Sequence, residues 1–90
     1  MNITPNNSIA SHRTGALVGL CDWDITAKLG FSPNIEDDPD KVVNSWGFDV
    51  DGKPCAIWDY KGSHKRGIFS TFGPRDVLRR LFGDHYVSDR

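Results

Sequence analysis

Two groups of residues carry side chains that could do chemistry. The first is Trp58 and Tyr60, two positions apart, leading into Lys61-Gly62-Ser63-His64-Lys65-Arg66-Gly67. A glycine-bounded loop can present backbone N–H groups, and Lys61, His64, Lys65 and Arg66 add positive charge, a combination suited to phosphate or another anion. Trp58 and Tyr60 offer flat apolar surface on which a base or similar ring can stack. Together they are what a small nucleotide-type ligand requires. The plain structural alternative is that both aromatics pack beneath a helix while the loop is merely solvated.

The second group is Asp49 and Asp51 followed by Asp59-Tyr60-Lys61. An acid on one strand and D-x-K on the next can hold magnesium and orient water, the arrangement of a minimal metal-dependent nuclease using Asp59 and Lys61. Against it, Asp51 is taken up by a turn, and Asp49 should face away from Asp59. His12, His64 and His85 have no paired spacing, so no metal site is expected. Adjacent Ser63 and His64 do not make a nucleophile–base pair, and Gly15-Ala16-Leu17-Val18-Gly19 lacks the spacing of a dinucleotide fingerprint. No catalytic residue and no cofactor is therefore assigned.

The elements that position these residues follow from local patterning. Asp51-Gly52, flanked by alternating apolar residues, is a strong two-residue hairpin signature. It pairs Val50 with Lys53, Phe48 with Cys55 and Trp46 with Ile57 on one face. Asp49, Gly47 and Ser45 then oppose Pro54, Ala56 and Trp58 on the other. The first face looks like core near the turn; the second sets Trp58 and Tyr60 beside small residues as a shallow aromatic shelf, and the sequence does not decide which face is buried. Ile68 to Phe72 reads as a third strand. Asp22 to Leu29, with an Ile25/Leu29 pair and Gly30 as a stop, reads as a short helix. A last helix starts at Pro74 and ends at Gly83, with Val77, Leu78 and Leu81 inside and Arg75, Arg79 and Arg80 outside. The acidic stretch Glu36 to Asp40 reads as a solvated loop. The expected fold is α+β: a three-stranded antiparallel meander flanked by two short helices, in the order α-β-β-β-α. Residues 1–15 form a flexible arm able to dock an edge, and 16–90 a single domain.

A chain of 90 residues closes one small core, for which an oligomer or a bound ligand would add stability. Eleven basic against twelve acidic residues leave a charge of −1, which argues against non-specific DNA binding. No apolar run approaches a membrane span, and no signal peptide is recognisable at the N-terminus. Cys21 and Cys55 read as free, mostly buried thiols in a reducing cytoplasm.

Leu29-Gly30, Asp40-Lys41-Val42, Trp46, Asp51-Gly52, Ile57-Trp58-Asp59-Tyr60-Lys61, Phe72-Gly73 and Leu78 to Phe82 resemble the motifs of small, uncharacterised bacteriophage accessory proteins with an I-(Y/W)-D-(W/Y)-K strand. The third strand departs from that pattern: it ends Ser70-Thr71-Phe72-Gly73 where the others end tryptophan-His-Ile-Gly-Gly. The resemblance implies a phage anti-defence protein acting in the host bacterial cytoplasm. The expected function is thus non-catalytic counter-defence, by sequestering a nucleotide-type signal. Direct inhibition of a host defence protein, CRISPR or other, is the second reading, with Trp23, Trp58 or the acidic loop as anchors.

Overall fold

The hairpin sets the architecture. In the computed structural model, which describes residues 1–9, 12–35, 44–59 and 63–89 (for Ser63 and His64 the backbone), Asp51 and Gly52 have φ of 51° and 83°. Two positive φ values make the type I′ form, whose twist matches that of paired strands. It joins β3 (Ser45–Val50) to β4 (Lys53–Trp58) in the register expected from sequence, Val50 opposite Lys53 through Ser45 opposite Trp58. β5 (Ile68–Phe72) pairs with β4, setting Trp58 opposite Ser70.

The three-stranded meander is corrected at this point. Among the described residues the sheet has six strands, all antiparallel, in the order β1-β3-β4-β5-β2-β6. β1 (Ile3–Pro5) comes from the N-terminal arm and lies against β3; β2 (Gly15–Val18) lies against β5; β6 (Tyr86–Ser88) adds outside β2. These strands have three or four residues. Their stability comes from partners distant in sequence, so they leave little local pattern to read. Pro5 on the outermost strand offers no N–H, which blunts that edge against further pairing.

Two helices cover one face: α1 (Asp22–Leu29) and α2 (Arg75–Phe82). Ile25 and Leu29 from α1, and Val77, Leu78, Leu81 and Phe82 from α2, pack in one cluster with Trp46, Phe48, Val50, Cys55, Ile57, Phe69, Leu17 and Tyr86. Trp46 and Phe69 meet edge to face at 5.9 Å. The sequence left open which hairpin face is buried; the structure places the face of Trp46, Phe48, Val50, Cys55 and Ile57 beneath the helices. Among the described residues no helix is long and apolar enough to cross a membrane.

Helix α1 starts with Cys21 as its cap. The Asp24 carboxylate accepts from the Cys21 backbone N–H at 3.0 Å and from its thiol at 3.2 Å. These bonds hold the Asp24 carboxyl below its ordinary value of 3.8. A depressed carboxyl stabilises the folded state above the unfolded value and loses that contribution as pH falls through the folded value. The Asp24 side-chain carbon should therefore titrate below pH 3.8 in an NMR titration, with the first turn of α1 losing amide protection over the same range. A midpoint at or above the ordinary value would contradict the cap.

The second backbone requirement is at Gly47. Asn34 reads both its polar groups, accepting from its N–H at 2.8 Å and donating to its carbonyl at 2.9 Å, while the Asn6 N–H donates to the same carbonyl at 2.9 Å. A Cβ here would strike the Asn6 carbonyl oxygen and come within 2.7 Å of the Ile35 side chain. Gly47→Ala should lower stability by about 1–3 kcal/mol in urea denaturation, the usual cost of overpacking. Unchanged stability would mean that Asn6 and Ile35 are not seated on β3.

Candidate functional site

Alternation along the strands builds the helix-free face from the complementary residues. One row runs across five strands: Ser45, Trp58, Ser70, Ala16 and Val87 are successive partners. Beside it Gly47, Ala56 and Phe72 form a second row, and Ile68 opposes Val18. Among the strand residues on this face, Asp49 near the turn is ionisable and the rest are uncharged. A sheet face turned to water ordinarily alternates toward polar side chains; this one presents indole, phenyl and aliphatic surface.

Trp58 is half-buried, flanked by small residues: Ser45 and Ser70 across the strands, Ala56 two positions back. Phe72 and Ile68 are half-buried too, and Val18 and Val87 are 46% and 51% exposed. The exposed His12 ring lies 5.2 Å from Phe72 and marks one end of the shelf. Small residues between large ones leave shallow relief into which a flat ring can settle.

The opposite end of the shelf carries the cations. Trp58 ends β4 and Ile68 begins β5, and the 3₁₀ turn Ser63–Arg66 stands between them. The Gly19 N–H donates to the Gly67 carbonyl at 2.8 Å, tying the turn to the loop after β2. Lys65 and Arg66 are exposed there. Of the residues expected at the site, Tyr60 and Lys61 lie outside the described residues, and for His64 only the backbone is described. The structure brings Trp58 and the Lys65–Arg66 turn to one end of the sheet. Sequence reading missed Phe72, Ile68, Val18 and Val87, because Val18 and Val87 belong to strands it did not recognise.

The carboxylates of the nuclease alternative are engaged elsewhere. Asp49 is on the helix-free face, where Asn6 Nδ2 donates to it at 3.1 and 3.3 Å. Asp59, on the opposite face, is fully buried and accepts from the Asn44 backbone N–H at 2.8 Å and its side-chain amide at 3.3 Å. The two do not converge. Among the described residues no group of three His, Cys, Asp or Glu could hold a metal ion.

No protein-family profile, curated protein or solved structure matches this chain.

The two cysteines are both free, Cys21 exposed and Cys55 buried. Burial, helped by the negative charge of Asp49, pushes the Cys55 thiol up to about 11. Since the thiolate is the reacting form, at pH 8 Ellman's reagent should label Cys21 promptly and Cys55 only after denaturation. Equal rates at both thiols would show that Cys55 is not sealed beneath the helices.

Proposed function

We propose that the protein is a non-catalytic binding module that takes a nucleotide-type ligand on the helix-free sheet face. The observation that carries this reading is a half-buried Trp58 set among small residues on a sheet face whose strand residues are uncharged apart from Asp49. The base would stack on Trp58, with Phe72 extending the platform, and the phosphate would be drawn to Lys65 and Arg66. Aromatic residues on an open antiparallel sheet serve this role because every base has a π-face. In the phage setting that the sequence resemblance implies, such binding would sequester a nucleotide signal used in host defence.

Calorimetry and thermal-shift measurements against cyclic and ADP-ribose-type nucleotides test the proposal. At least one nucleotide should raise the melting temperature. Trp58→Ala should weaken it by about 5- to 100-fold, the span of one lost stacking contact, and Lys65→Ala with Arg66→Ala should weaken it further in low salt than in high. No shift with any nucleotide, or equal affinity in Trp58→Ala, would contradict it.

A protein partner is the second reading, favoured by Trp23, which is 74% exposed on α1. Exposed indoles are common anchors of interfaces. A stoichiometric bacterial protein that co-purifies with the native chain and is lost in Trp23→Ala would favour it.

A further inference from the structure

We propose a second site: the arginine-lined cleft between α2 and the β2–β6 ladder binds a diphosphate group. Two adjoining depressions, of about 470 and about 610 Å³, meet there. Arg13 and Arg75 face the first, Arg75 and Arg79 the second, and Arg75 and the buried Tyr86 belong to both.

Among the described residues, three guanidinium groups border this space with one carboxylate, that of Asp89. Arg13 is held by Asp89, from Nε at 3.1 Å and Nη2 at 3.4 Å. The Arg79 guanidinium lies over the Tyr86 ring, 5.6 Å from its centroid. Two of the cations are thus placed before any ligand arrives, which reduces the ordering cost of binding. Arg75 and Arg79 stand one helical turn apart on one face of α2, a spacing at which like charges repel. Among the described residues neither has a carboxylate within ion-pair distance.

An anion between these arginines would relieve the repulsion, and the planar guanidinium fork matches phosphate oxygens. With Arg75 in the common wall of the two depressions, two linked phosphoryl groups fit on either side of it, one against Arg75 in the first and one toward Arg79 in the second. Asp89 stays paired with Arg13, so the ligand's charge is directed toward Arg75 and Arg79. The site adjoins the shelf at His12 and Val87 but does not include Trp58.

The test is an NMR titration of the arginine Nε–H and Tyr86 amide signals with sodium pyrophosphate, orthophosphate and chloride at matched ionic strength. Pyrophosphate should give saturating shifts at Arg75 and Arg79, at a concentration about tenfold lower than orthophosphate. Arg75→Gln should remove them while the remaining spectrum stays folded, and Arg79→Gln serves as the second variant. Trp58→Ala should leave them unchanged, which separates this site from nucleotide stacking. A nucleoside diphosphate arm tells whether the group is recognised alone or as part of a nucleotide: equal affinity for both supports the diphosphate as the recognised unit. Non-saturating shifts matched by chloride, or pyrophosphate affinity retained in both arginine variants, would overturn the proposal.

Discussion

The structure depends on the register of one hairpin. Positive φ at both Asp51 and Gly52 admits a two-residue connection and fixes which residues of β3 and β4 oppose each other. Since successive side chains point to opposite faces, a slip of one residue in a strand would invert its inner and outer sets. Trp46, Phe48, Val50, Cys55 and Ile57 are all sealed beneath the helices. Exposing them would cost on the order of 10 kcal/mol at about 1.5–3 kcal/mol each, comparable with the whole stability of a small domain. The same register sends Trp58, Ala56, Gly47 and Ser45 outward. Core and shelf are two consequences of one turn.

The remaining strands extend this frame. β5 carries the alternation onward, placing Phe69 and Thr71 inside and Ile68, Ser70 and Phe72 outside. The two ends of the chain complete the sheet, β1 beside β3 and β6 beside β2. Gly47 lets Asn6 and Asn34 approach the backbone of β3, so the first strand and the segment after α1 are both fastened to the hairpin. In so small a chain, these long-range bonds give the helix-free face its breadth.

What the residues disclosed in advance follows the reach of their signals. Asp51-Gly52 between alternating runs is a local code, and it gave the hairpin and its register, while which face is buried had to wait for the helices. Ile68–Phe72 and the α2 stripe Val77, Leu78, Leu81 are local patterns of the same kind. Ile3-Thr4-Pro5, Gly15–Val18 and Tyr86-Val87-Ser88 contain no turn signal or period long enough to read, and become strands through partners 43 or more residues away. Missing them narrowed the expected sheet to three strands. It also hid the cleft, since Arg75 and Arg79 look solvent-facing until β6 supplies the opposite wall. Trp58 was legible as a shelf residue because its face follows from the hairpin; Val18 and Val87 could not be joined to it without the wider sheet.

The sorting of indoles between the two faces is the central physical claim, and solvent paramagnetic relaxation of the three tryptophan Nε1–H signals tests it most directly. Trp23 should broaden strongly with a soluble nitroxide, Trp58 measurably, and Trp46, whose Nε1 is buried with no hydrogen-bond partner among the described residues, not at all. Broadening of Trp46, or a Trp58 signal as protected as that of Trp46, would contradict the register and remove the shelf on which the functional reading stands.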